Sequence, residues 1–227
     1  MVVMTHVMEN GRIATQDKDY QVKELWENFI GDNCKSLIGK PKLFFIEAAR
    51  GDTVDYGVPL DDQSIPKTAD LLVMSSTTEG HSSFDNETDG SRFIQALCEE
   101  LKINLEDDLL NKLTRVNRKV AFVKQSNEVD MTNIKSTLTK SIFLVSDNSS
   151  IMSDFHYNFS NAKRGIAFIF NHESFKDKPR RAGAIKDGDD LKMVLEGLQF
   201  EVRYHMDLNL NEIKDILYDG KTKDIVW

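Results

Sequence analysis

The sequence predicts an α/β fold, and three observations carry that prediction. Short apolar runs alternate along the chain with segments in which apolar residues recur at helical spacing. Several of these runs, such as Leu71-Leu72-Val73-Met74 and Ile166-Ala167-Phe168-Ile169-Phe170, are apolar throughout, as strands buried on both faces of a parallel sheet must be. In Lys42-Leu43-Phe44-Phe45-Ile46-Glu47-Ala48-Ala49-Arg50-Gly51-Asp52, an apolar strand runs into small residues and a turn. In α/β proteins, ligands and nucleophiles gather at such strand ends.

Taken in order, Val2-Val3-Met4 reads as the first buried strand. Val22, Leu25, Trp26 and Phe29 predict a helix before the strand Leu43–Ile46. The stretch from Asp52 to Asp70, with two prolines and five aspartates, reads as an exposed loop before Leu71–Met74. Phe93, Ile94, Leu97 and Leu101 mark a second helix. Leu109, Leu110, Leu113 and Val116 mark a third, opened by Glu106-Asp107-Asp108, where the helix dipole favours anions. Residues 147–161 are polar and rich in Ser and Asn, and read as a linker before Ile166–Phe170. Leu191, Val194, Leu195 and Leu198 form a fourth helix, followed by the strand Phe200–Tyr204. A fifth helix, about Asn211 to Tyr218, feeds Asp224-Ile225-Val226-Trp227.

Composition narrows the function classes. The chain has 227 residues, enough for one domain with a sizeable core, and 40% apolar and 29% charged residues are ordinary for a globular protein. Net charge is −8 with dispersed Lys and Arg, which argues against a nucleic-acid partner. The two cysteines, Cys34 and Cys98, predict a reducing compartment rather than a disulfide scaffold. No apolar run reaches the ~18 residues of a membrane span, and no signal core opens the chain, so a cytosolic protein without membrane contact is expected. The five histidines show no zinc-ligand spacing, and no metal or cofactor is expected. Gly220-Lys221-Thr222 imitates the end of a phosphate loop, but Asp215 occupies the first glycine position.

The segment Lys42–Gly51 closely resembles the active-site segment of the caspases, Lys-Leu-Phe-Phe-Ile-Gln-Ala-Cys-Arg-Gly. Other blocks match that family too. Tyr157-Asn158-Phe159 with Arg164–Glu173 resembles the first strand of the large subunit, and Arg181-Ala182-Gly183-Ala184 with Asp187 resembles an Arg-x-Gly-Thr block. Thr5-His6-Val7 resembles the catalytic-histidine block, and Ala69-Asp70 through Asn86 the start of the small subunit. Leu113–Asn117 and Leu138–Lys140 resemble its later helix and last strand. The resemblance implies a twisted, mostly parallel six-stranded sheet with helices on both faces. It divides the chain into residues 1–146 (the end of a large subunit plus a small subunit), a linker 147–156, and residues 157–227 (the start of a large subunit). That order is permuted relative to the family. Reading Asp224–Trp227 straight into Met1–His6 restores the family's nine-residue spacing from Asp to the catalytic histidine. A permuted monomer, two copies exchanging halves, and the joined ends of tandem genes are the three arrangements this order allows.

By the same resemblance the site is dismantled. Cysteine proteolysis needs a thiolate, a histidine and backbone donors for the oxyanion. His6 keeps the base position and also reads as a histidine satisfied at a strand end; Ala49 replaces the cysteine; Val7 replaces the oxyanion glycine. Of the groups that hold a substrate aspartate, Arg181 matches one arginine and also reads as a surface ion pair. Asp85 stands at the other arginine and Glu47 at the glutamine. Each charge at ~4 Å is worth about 1 to 4 kcal/mol, so this exchange should abolish recognition of aspartate. Ser75 and Phe84 thin the neighbouring apolar subsite. Cys98 lies on a buried helical stripe and Cys34 in a polar turn, and both read as structural. Asp52-Thr53-Val54-Asp55 is a tetrapeptide of the type caspases cut, with Asp55 as the cleavage residue. The strand 131–138 resembles the caspase dimer edge, with Lys135 in place of an apolar residue, which disfavours self-pairing. The expectation is a non-catalytic caspase homologue that pairs with an active caspase, or with a second copy, in apoptotic signalling. The alternatives are a divergent cysteine hydrolase and a decayed or misjoined gene product.

Overall fold

The computed structural model describes residues 1–8, 12–48, 68–76, 85–86, 90–122, 131–144, 154–159 and 164–222. Its strands are β1 (Val2–Met4), β2 (Val7–Met8), β3 (Arg12–Ala14), β4 (Asp19–Gln21), β5 (Lys42–Glu47), β6 (Leu71–Ser75), β7 (Asp85–Asn86), β8 (Gly90–Ser91), β9 (Asn133–Ser136), β10 (Ile166–Asn171) and β11 (Glu201–Met206). The helices are α1 (Glu24–Glu27), α2 (Arg92–Lys102), α3 (Leu109–Ala121), α4 (Ala184–Gly197) and α5 (Leu210–Thr222). Six strands form one sheet in the order β11-β10-β1-β5-β6-β9, parallel except for β9, which runs antiparallel to β6. Strand β1 therefore lies between β10, from the last third of the chain, and β5, with Val2 level with Ile169 on one side and Phe45 on the other.

Strand alternation divides the core in two. Val2, Met4, Phe45, Leu72, Met74 and Ile169 face the layer of α2, α3 and α4. Val3, Phe44, Ile46, Val73, Phe168 and Phe170 face Leu25, Phe29 and the Ile213–Leu217 stripe of α5. The inner strands β1, β5, β6 and β10 thus bury both faces, which is why their sequences read as continuous apolar runs. Ser91 caps α2 by accepting from the Ile94 amide, and Asp108 caps α3 by accepting from Leu110 at 2.9 Å. Of the acidic triplet before α3, Asp107 instead pairs with Arg115 at 2.7 Å. Helix α4 starts at Ala184, earlier than its apolar stripe suggested.

The first predicted helix is shorter than its periodicity implied. Only Glu24–Glu27 is helical, because β4 takes the residues before it and a turn at Gly31, with φ +53°, takes those after. Leu25 and Phe29 are buried all the same. The small sheet β2-β3-β4 was not foreseen, since strands of two or three residues carry too little alternation to register. Inside the region read as linker, residues 154–159 are pinned down. The Ser141 amide donates to the Phe155 carbonyl at 2.7 Å, and the buried Tyr157 hydroxyl donates to Asp70 at 2.6 Å. The predicted strand Asp224–Trp227 lies outside the described residues.

Gly188 shows how closely α4 sits on the sheet. A Cβ there would fall 2.0 Å from the Tyr204 hydroxyl and 2.7 Å from the Asn171 amide nitrogen, two groups bonded to each other at 2.9 Å. Gly188→Ala is expected to destabilise by about 1 to 3 kcal/mol despite alanine's better helix propensity. Adding Tyr204→Phe, which deletes the nearest atom, should recover part of the loss. Urea midpoints of the three variants check this, and an unchanged midpoint for Gly188→Ala would contradict the packing.

Candidate active site

Main-chain bonds continue past the strand ends and gather one set of residues at a single edge of the sheet. The Thr5 amide donates to Glu47, the His172 amide to Met4 and the Ser76 amide to Ile46, each at 2.9 Å. His6, Glu47, Ala48, Ser75, Ser76 and His172 therefore cluster at the carboxyl ends of β1, β5, β6 and β10, where an open α/β sheet places its site.

His6 is half-buried. Its Nε2 bonds to the Pro179 carbonyl at 2.9 Å, and its ring lies 4.6 Å from that of Phe175. A carbonyl only accepts, so Nε2 carries the proton and Nδ1 is left as the basic nitrogen. That bond satisfies one ring nitrogen of the histidine at a strand end and orients the ring. Val7 takes extended geometry in β2, opposite Ile13.

Glu47, 1% exposed, buries a carboxylate at the end of β5. Ser76, which sequence reasoning missed, clamps the next residue. Its hydroxyl oxygen accepts from the Ala48 amide at 3.1 Å and the hydroxyl lies 3.4 Å from the Ala48 carbonyl. Ser75 is buried at the end of β6, level with Ile46. Asp85 lies in β7 opposite Ser91. Ala49, Phe84 and Asp55 lie outside the described residues.

Arg181 corrects the surface ion-pair reading: it is paired, but buried at 3% exposure. Its guanidinium donates to Asp187 at 3.0 Å and to the Asn171 side-chain oxygen at 3.2 Å. Asp187 also accepts the Ser91 amide at 2.8 Å, and Asn171 donates to the Ala184 carbonyl at 2.6 Å. This network joins the start of α4 to the start of α2. Asn171 and Asp187 were visible only as members of matching blocks, because nothing in a linear pattern shows which carboxylate meets which arginine.

Both cysteines are buried. Cys98 sits in the α2 core, where burial pushes its thiol up to about 12, so it holds no thiolate near neutral pH. Cys34 does lie in a turn, but its sulfur packs into the second core, 3.4 Å from the Ser36 hydroxyl. A cavity of about 520 Å³ opens beside the Arg181 loop, lined by Glu173, Arg180, Lys186, Asp189 and Asp190 among others. A second, of about 310 Å³, lies away from this edge between Tyr20 and α5. Among the described residues no three metal-ligating side chains converge, and no helix is long and apolar enough to cross a membrane. The edge holds the oriented His6 imidazole and the buried Arg181–Asp187 pair, and both cysteines are buried.

Comparison with known proteins fits this geometry. The family model described as "Caspase domain" matches residues 1–143 and 164–224. "Caspase-1" of Spodoptera frugiperda is 43% identical over 141 residues, covering 57% of this chain and 47% of that protein. "Caspase-3" of Mesocricetus auratus is 42% identical over 159 residues, covering 63% and 57%. The chain thus spans about half the length of the curated relatives it matches. The crystal structure of Caspase-1 from Spodoptera frugiperda superposes with a TM-score of 0.54 at 41% identity, covering 62% of this chain and 61% of that one.

Proposed function

The chain belongs to the caspase domain family, and from that membership we propose that it is a non-catalytic homologue that binds an active caspase and changes its activity in cell-death signalling. One observation carries the proposal. Position 49, which follows β5 where the family pattern has its cysteine, is alanine, while Cys34 and Cys98 are buried elsewhere. Glu47 and Asp85 at the positions of the family's glutamine and arginine support it, since a catalytic loss confined to one residue would leave the substrate pocket intact.

The proposed contact is the strand edge at 131–138. Strand β9 pairs on one side with β6 and ends the sheet, with Lys135 and Ser136 exposed. A lysine there disfavours a second copy of this chain and leaves an active caspase as the better partner. The proposed compartment is the cytosol. The block order is proposed to be permuted relative to the family, a reading supported by the separate matches to residues 1–143 and 164–224.

The deciding experiment titrates this protein into an active caspase from the same source that is cleaving an aspartate-ended fluorogenic peptide. A saturable rise or fall in rate is the expected result. No change, with a cooperative melt showing that the protein is folded, would overturn the proposal. Turnover by the protein alone would favour the enzymatic reading instead.

A further inference from the structure

The loop that follows β10 closes over one buried side chain. His172 is 1% exposed, and neither of its ring nitrogens has a hydrogen-bond partner among the described residues. A neutral imidazole carries one N–H and one lone pair, so burial leaves two polar functions uncompensated. Burial accordingly pushes the His172 pKa down to about 4, Asp207 pulling it upward and Arg181 pushing it further down.

The backbone around this ring is held by Asp207. Its carboxylate accepts the Glu173 amide at 2.7 Å and the Ser174 amide at 2.9 Å. Asp207 does so from a left-handed backbone, φ +48°, which is uncommon outside glycine. Phe175, carried by the same loop, stands between two histidines: its ring is 6.1 Å from His172 and 4.6 Å from His6.

We propose that His172 and Asp207 form an acid-sensitive latch beneath His6. A proton on the buried His172 imidazole creates a cation whose available anion is Asp207. Drawn to that cation, the carboxylate gives up the Glu173 and Ser174 amides, and the loop withdraws Phe175 from His6. Three groups act on the ring from different elements. Asp207 at the end of β11 favours the cation, Arg181 before α4 opposes it, and His6 at the end of β1 faces it across Phe175. The sign follows from linkage. The closed loop binds the proton more weakly than the open one, so the latch is intact above the ordinary histidine value of 6.5 and is lost as pH falls toward 4. The latch is a property of this chain alone and requires neither a partner nor turnover.

Hydrogen exchange and histidine NMR on the full chain test it. Between pH 7 and pH 5, protection at Glu173 and Ser174, corrected for intrinsic exchange, should fall about 20-fold, the ratio that linkage gives for these two proton affinities. His172→Phe, aromatic but not titratable, should flatten this change. His205→Phe is the control, because His205 Nε2 is also buried without a partner, and it should leave the transition in place. An unchanged acid step in His172→Phe would overturn the latch. So would a wild-type His172 that titrates near 6.5 while the loop stays protected, a result independent of whether the variant folds.

Discussion

The wild-type protein will release no fluorophore from an aspartate-ended peptide, and Ala49→Cys alone will not rescue it. In a serine protease, loss of the nucleophile costs on the order of 10⁶ in turnover, and restoring a thiol near His6 addresses only that part. His6 is already arranged to help, since the Pro179 carbonyl fixes Nε2–H and leaves Nδ1 basic. The substrate pocket is not. Glu47 buries a carboxylate at the end of the strand that delivers position 49, and Arg181 already shares its charge with Asp187. An incoming aspartate would meet carboxyl side chains at the positions where the family pattern has a glutamine and an arginine, and each like charge at ~4 Å would cost about 1 to 4 kcal/mol. The triple variant Ala49→Cys/Glu47→Gln/Asp85→Arg should therefore recover cleavage that the single variant lacks. Burst titration with an active-site label, together with kcat/KM on peptides ending in Asp and in Ala, separates the two steps. Efficient aspartate-specific cleavage by Ala49→Cys alone would refute the account of the pocket.

The second large effect concerns Lys112→Met. Lys112 is fully buried in α3, and its ammonium closes the end of α2 by donating to the carbonyls of Glu100 at 3.2 Å, Ile103 at 2.5 Å and Asn104 at 2.7 Å. The last carbonyls of a helix have no partner within the helix, and here one side chain from the neighbouring helix satisfies three acceptors. Burial pulls the Lys112 pKa below its usual value, and Arg115 adds to that, with Asp107 and Glu100 opposing. Methionine keeps the volume and removes every donor, leaving the carbonyl of the buried Glu100 unsatisfied at roughly 1 to 3 kcal/mol, whereas Ile103 and Asn104 are exposed and their carbonyls turn to water. The expected loss is about 1 to 3 kcal/mol, seen as a melting point lower by roughly 2 to 10 °C in a domain of this size. Lys23→Met, which breaks only an exposed pair with Glu27, should cost less than about 1 kcal/mol. A Lys112→Met loss no larger than this control would show that the Glu100 carbonyl finds water instead.

The strands and most helices were legible because burial on two faces or on one stripe leaves a local pattern. Phe44, Phe45 and Ile46 had to be apolar wherever the rest of the chain went, and Leu97 and Leu101 had to fall on one side of α2. His6, Glu47 and Arg181 could be named from the sequence, but the contacts that hold them could hardly be read there at all. Ser76 holding Ala48, Pro179 orienting His6, Asp187 bridging Arg181 to Ser91, and Asp207 pinning the loop over His172 are contacts across many residues of sequence. Periodicity reports the face on which a side chain lies, and carries nothing about which polar group from a distant segment will meet it there.

The sequence by itself determined the sheet's apolar strands, the family blocks and the alanine at position 49, because each of these is a property of residue identity at a local position. Only the tertiary structure decided that Arg181 is a buried ion pair, that Cys34 is packed away, and that His172 is buried at the end of β10. The physical reason is that burial and pairing are decided by what other segments bring. A polar side chain's state depends on whether water or a partner reaches it, and that is settled only once the sheet has closed around it.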